Sequence, residues 1–196
     1  MITEAVFKKA VVHRFWNHIH KGTLLPYSGR IPSRPIFLSS LFKRVNEMKY
    51  VPMPPRGYVV SHKKNLVVRF IPSMTKEDYC VYFFCLKYLE NEIAENRVAG
   101  TFGGWSLGGR IRSLENFDDP PSIPDGTYDR FAWKKAWTEY QERAYQLYRR
   151  NRHQYFIVCD IANYYDCIRL NRLETSVRGA VSKEKTQVVN LLFYFL

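Results

Sequence analysis

The chain has few acidic residues and no long apolar run. Eighteen Asp and Glu stand against thirty Lys and Arg in 196 residues, a formal net charge of +12. No stretch approaches the roughly 18 consecutive apolar residues that cross a bilayer as a helix. The opening residues, Met1 to Lys9, do not run in the order basic, apolar, cleavable, so no signal peptide is expected. The four cysteines, Cys80, Cys85, Cys159 and Cys167, lie inside apolar runs without Cys-x-x-Cys spacing. That argues against a thiolate metal site or a disulfide framework, and the expectation is reduced core thiols in the cytoplasm. There is no internal repeat and no low-complexity tract. A Walker loop is excluded because no glycine-rich stretch continues into Gly-Lys-Ser/Thr. What the charge imbalance leaves is a polyanionic partner, since a basic field speeds encounter and phosphate contacts release counterions. Charge by itself is satisfied equally by nucleic acid or an anionic membrane surface.

Aromatic residues are plentiful, with 14 Tyr and 13 Phe, enough to bury a core in one domain or a piece of a larger one. Ala5 to Ile19 places apolar residues at Val6, Ala10, Phe15 and Ile19 with basic residues between them, which predicts a basic amphipathic helix. His13, His18 and His20 cluster there, but no cysteine or second ligand pair accompanies them, so a zinc site is not expected. Lys21 to Pro35 is interrupted by glycine and proline and reads as a loop. Leu38 to Tyr50 reads as a second helix, stopped by Val51-Pro-Met-Pro-Pro55. Residues 1 to 60 hold ten basic and two acidic side chains. Residues 1–56 are accordingly expected to be a basic N-terminal extension that grips nucleic-acid backbone, a solvated basic face being the plainer reading.

Gly57 to Ser61 and Leu66 to Ile71 are β-rich runs joined by His62-Lys-Lys-Asn65, which predicts a hairpin with a basic tip. Such tips also serve merely to keep edge strands soluble. Thr75-Lys-Glu-Asp78 is a capping-box-like start to a helix through Glu95, apolar over most of its surface. Ala99 to Arg110 packs five glycines into ten residues (positions 100–109) around Trp105, which calls for special backbone angles or close approach by another chain. Residues 115–129 form an acidic, proline-rich loop. From Tyr128 to Arg150, Trp133, Trp137, Tyr140, Ala144 and Leu147 follow steps of four, three, four and three. They predict one buried stripe on a helix. Tyr155 to Val158 reads as a buried strand, and helices follow at 170–180 and 183–196.

The strand leads into Asp160-Ile-Ala-Asn-Tyr-Tyr-Asp-Cys-Ile168. A buried, isolated carboxylate costs several kcal/mol unless it is paired or binds a metal. Asp160 therefore calls for a partner, although a strand-end Asp capping the next helix would show the same spacing. The motif resembles the first carboxylate motif of bacterial reverse transcriptases, the kind related to group II introns, retrons and phage-defence enzymes. Leu170-Asn-Arg-Leu173 resembles the helix start that follows it. The upstream basic hairpin with Arg69-Phe-Ile-Pro72 resembles the fingers hairpin of the same family. The glycine-rich stretch and the acidic loop are similar to elements of the defence-associated members.

The resemblance implies an α+β fold, a right-hand polymerase's fingers (57–154) and the first part of its palm (155–196). It implies an RNA-directed DNA polymerase that adds deoxynucleotides in the bacterial cytoplasm. Asp160 would be catalytic and would ligate Mg2+ with the Ile161 carbonyl. Lys63, Lys64 and Arg69 would meet the nucleotide triphosphate, and Tyr165 would exclude a ribose 2′ hydroxyl. Trp105, Arg110 and Arg112 would lie against nucleic acid. The partners implied are an RNA template, a DNA or protein primer, dNTP, a structured non-coding RNA, and either a second copy or the remaining palm and thumb; a membrane is not among them. The family's second motif, an aromatic, a variable residue and two aspartates, does not follow Asp160. One strand-end carboxylate cannot hold two ions roughly 3.5–4 Å apart. The palm is thus expected to be incomplete and the chain alone inactive. The alternative is a non-catalytic nucleic-acid-binding or interaction module derived from such an enzyme.

Overall fold

The computed structural model describes residues 2–22, 32–55, 57–62, 68–95, 132–151 and 167–196, together with Tyr155, Ile157 and Cys159. Over these the chain is mostly helical with one two-stranded antiparallel sheet, an α+β arrangement. In order come α1 (Glu4–Ala10), α2 (His13–Gly22), α3 (Arg34–Asn46), β1 (Gly57–His62), β2 (Val68–Ser73), α4 (Lys76–Glu95), α5 (Ala132–Asn151), α6 (Leu170–Ala180), a 3-10 turn (Lys183–Lys185) and α7 (Thr186–Phe193). Contacts divide them into two compact units, residues 1–88 with 190–196, and residues 89–189.

The first unit has an aromatic core. On α4, Phe83 and Phe84 are adjacent, so their rings leave the helix about 100° apart and face different neighbours. Phe84 meets Phe7 of α1, ring centroids 4.8 Å apart, and Phe7 in turn meets Phe42 of α3 at 5.8 Å. Phe83 stacks on Phe15 of α2 at 3.9 Å. Trp16 packs on Phe37 at 5.0 Å, and Val11, Ile19, Leu38 and Leu41 are buried as well. Residues 1–50, expected as part of an extension, therefore supply much of this core.

The single helix expected over Ala5–Ile19 is two. α1 ends at Val11, and the guanidinium of Arg34 explains how the break is held: it donates to the Lys8 carbonyl at 2.9 Å and to the Val11 carbonyl at 2.5 Å. A cation on the free carbonyls of a helix C-terminus satisfies acceptors the helix cannot and sits favourably in its dipole. Ser39 of α3 donates to Glu4 at 2.7 Å, and Lys8 pairs with the same carboxylate at 2.6 Å, holding it below the usual carboxylate range.

α4 begins as expected from its capping box. The Asp78 N–H donates to Thr75 Oγ1 at 3.1 Å, and that hydroxyl donates to Asp78 Oδ2 at 2.6 Å. Asp78 is buried, and its other oxygen accepts from the Tyr50 hydroxyl and from the Met53 N–H at 3.4 Å. The carboxylate thus ties the chain before the hairpin to the helix after it. Burial, and then the hydrogen bond to Asp78, push the Tyr50 phenol well above its ordinary value, so it is the donor of the pair.

In the second unit, Glu92 near the end of α4 accepts from the Ser182 N–H at 2.7 Å and pairs with Lys185 at 2.9 Å, fastening the 3-10 turn. Leu89, Val188 and Val189 are buried. Burial alone would raise the Glu92 carboxyl, but the Lys185 ammonium and Ser182 together hold it below the ordinary range.

Two measurements follow. Asp78→Ala is expected to cost about 2–4 kcal/mol in urea unfolding, because it removes the carboxylate half of the capping box and strands a buried phenol. Tyr50→Phe, which leaves Thr75 and Met53 on the carboxylate, is expected to cost about 1 kcal/mol. Equal losses would contradict this account. Because the Glu92 value is depressed on folding, its contribution is present above the unfolded carboxyl value of about 4.3 and is lost as pH falls through the lower folded value. Glu92→Gln should therefore lie below wild type by about 0.5 kcal/mol at neutral pH and match it at acid pH.

Candidate functional site

The hairpin is the expected element that the structure places most fully. β1 and β2 pair with Gly57 opposite Ser73 and His62 opposite Val68, and Arg69 stands opposite Ser61, one pair from the tip. Alternating β-branched and aromatic residues favour this pleated pairing. Pro72 lies within β2, opposite Tyr58, which an edge strand tolerates. Cross-strand partners share a face, so Tyr58, Val60, Val68, Phe70 and Pro72 line one side of the ribbon, and all five are exposed. Tyr58 and Phe70 meet edge to face, centroids 6.5 Å apart. The tip residues Lys63 and Lys64 lie outside the described residues, as does the side chain of Arg69.

The carboxylate motif is placed only at its margins. Asp160, Ile161 and Tyr165 lie outside the described residues, as do Trp105, Arg110 and Arg112 and the acidic loop 115–129. Upstream, the expected buried strand is corrected. Tyr155 and Ile157 are 84% and 87% exposed, Cys159 is exposed, and none of the three is in a strand. A strand needs a neighbour to take up its backbone N–H and C=O groups, and among the described residues the sheet holds only β1 and β2. Downstream, α6 starts at Leu170 as expected.

The cysteines divide in the same way. Cys80 and Cys85 are buried core thiols as expected, burial pushing Cys80 up to about 12 and Cys85 higher still. Cys159 and Cys167 are free and exposed, contrary to expectation, since nothing packs over the chain that carries them among the described residues. Among those residues no group of three or more His, Cys, Asp or Glu could hold a metal ion. His13 instead meets the Asn17 amide at 3.1 Å.

The helix expected up to Arg150 is present as α5, but its exposure differs from expectation. Of the stripe expected to be buried, Trp137 is 56% exposed, Tyr140 and Leu147 are exposed and Ala144 is half-buried, while the Trp133 side chain lies outside the described residues. Tyr145 and Tyr148, off the stripe, add two more exposed rings. Among the described side chains of this helix the buried one is Glu139. Toward the helix end, Glu142, Tyr145, Gln146, Arg149 and Arg150 line a groove of about 440 Å³, and the Arg149 guanidinium lies 5.9 Å from the Tyr145 ring centre. Among the described residues no helix is long and apolar enough to cross a membrane. No protein-family model, curated protein or solved structure matches the chain.

The thiol assignment is directly testable. A disulfide reagent added to the native chain is expected to modify Cys159 and Cys167 quickly, and Cys80 and Cys85 only after denaturation. Slow modification of all four would show that the residues around 159–167 are covered.

Proposed function

We propose that the chain is the fingers and first part of the palm of a bacterial RNA-directed DNA polymerase. In the reaction the primer 3′ oxygen forms a bond to the α-phosphorus of a deoxynucleotide and pyrophosphate leaves. The observation that carries this reading is the Asp160-Ile-Ala-Asn-Tyr-Tyr-Asp-Cys-Ile168 spacing downstream of a basic-tipped hairpin. The β1–β2 register supports it by setting Arg69 beside a tip that contains Lys63 and Lys64. The start of α6 at Leu170 and the net charge of +12 support it further. The glycine-rich stretch and the acidic loop favour an antiphage-defence enzyme over a mobile-intron one.

In this reading Asp160 and the Ile161 carbonyl are hard oxygen donors suited to Mg2+, and they form part of the donor set that such a site needs. Bound there, the ion would neutralise phosphate charge and polarise the reacting oxygens. Arg69, with Lys63 or Lys64, neutralises and aligns the triphosphate, a guanidinium fork matching phosphate oxygens. The Tyr165 ring crowds a 2′ hydroxyl and selects deoxynucleotides. Trp105 stacks on a base while Arg110 or Arg112 meets phosphate. RNA template, primer, dNTP and a structured RNA are the partners of this reading. A second reading is a nucleic-acid-binding module without catalysis, which the net charge of +12 supports equally.

Thermal unfolding with dTTP and Mg2+ separates the two. Ligand at a hundred times its Kd adds about 2.7 kcal/mol, or roughly 5–10 °C for a chain of this size. The polymerase reading expects that rise for wild type with dTTP, little with UTP, and none with Asp160→Ala. A rise that survives Asp160→Ala removes the metal assignment. No rise in wild type leaves the binding module.

A further inference from the structure

We propose that the outward face of α5 is a binding platform for single-stranded nucleic acid, separate from the polymerase motifs and independent of whether they are catalytic. The ordinary amphipathic helix turns its apolar stripe inward. α5 does the reverse, exposing Trp137, Tyr140, Tyr145 and Tyr148 while Glu139 is buried. An exposed apolar stripe of this size marks a surface that something covers, and its chemistry distinguishes what.

The helix positions beside the stripe are basic or neutral: Lys134, Gln141, Arg143 and Arg150. A second copy of α5 laid along the stripe would set Lys134, Arg143 and Arg150 near one another, with Glu142 at the groove the one exposed acid of the helix to offset them. The exposed large side chains are almost all flat rings, Leu147 being the aliphatic exception among those described on this helix. Helix-to-helix seams are filled by branched aliphatic residues, whereas flat rings beside arginines are what base stacking and phosphate binding require.

The geometry favours a nucleotide strand in detail. Trp137 and Tyr140 sit one turn apart with ring centroids 5.5 Å from one another. About two turns beyond Trp137, Tyr145 borders the groove, with the Arg149 guanidinium 5.9 Å from its ring centre and Arg150 on the same rim. A base laid against Tyr145 would have Gln146 at its edge, a donor and acceptor together, and its phosphate would reach Arg149 and Arg150. Glu142 on the same groove repels phosphate and so confines the backbone to the arginine side.

The test is fluorescence anisotropy of a labelled twenty-residue oligo(dT) and oligo(U) with the full chain over a salt series. Trp137→Ala and Tyr145→Ala are each expected to weaken binding about tenfold, while Tyr145→Phe, which keeps the ring, restores it. Arg149→Gln with Arg150→Gln should flatten the salt slope by about 1.4, the value for two phosphates on a single strand. Arg172→Ala with Lys183→Ala removes the same charge from exposed positions elsewhere and should leave the slope within about 0.3 of wild type. Helical circular dichroism of each variant identifies any loss that comes from unfolding, and the arginine pair, being exposed, keeps the test open if a ring variant unfolds. Affinity indifferent to all α5 variants overturns the proposal. So does self-association in light scattering that Trp137→Ala abolishes, because the stripe is then a protein contact.

Discussion

The packing of two adjacent phenylalanines on α4 holds the first unit together. Phe83 and Phe84 leave the helix in different directions, one to Phe15 of α2 and the other to Phe7 of α1. Phe7 passes the contact on to Phe42 of α3, so three N-terminal helices depend on one turn of a fourth. Losing a buried phenylalanine of this kind costs about 3–5 kcal/mol, a large share of the stability of an ordinary domain. The Asp78 carboxylate fixes where that turn begins. By binding Thr75, Tyr50 and Met53 it sets the start of α4 against the segment that enters the hairpin.

Much of this was legible because it is local. Alternation of Val and aromatic residues around a polar turn encodes the hairpin, and Thr75 with Asp78 encodes the start of α4. The start of α6 at Leu170 was expected from resemblance and not from a cap, since Arg169 before it makes no capping hydrogen bond. The break between α1 and α2 was not legible, because no glycine or proline marks it. It is held by Arg34, twenty-three residues from the Val11 carbonyl it binds. Tyr155 to Val158 has strand chemistry, yet a strand exists only where another chain segment pairs with it, and residue preference does not supply the pairing.

α5 shows the same limit in another form. The spacing of Trp137, Tyr140 and Leu147 establishes that they share one side of a helix. It does not establish that protein covers that side, and here it does not. The candidate site divides along the same line: the hairpin register is observed, while Asp160, Tyr165, Trp105 and the lysines of the tip rest on residue pattern and family resemblance. The proposal of a polyanionic partner rests first on the surplus of basic charge.

The central claim is that Asp160 binds a divalent metal together with a deoxynucleotide. Mn2+ replaces Mg2+ on carboxylate and carbonyl oxygens and broadens the NMR signals of nearby nuclei. Titrating it into the isotopically labelled chain with dTTP present reads the site directly. The account predicts broadening that begins at residues 159–162 and disappears in Asp160→Asn. Broadening confined to the acidic residues 115–129, or unchanged in Asp160→Asn, would contradict it.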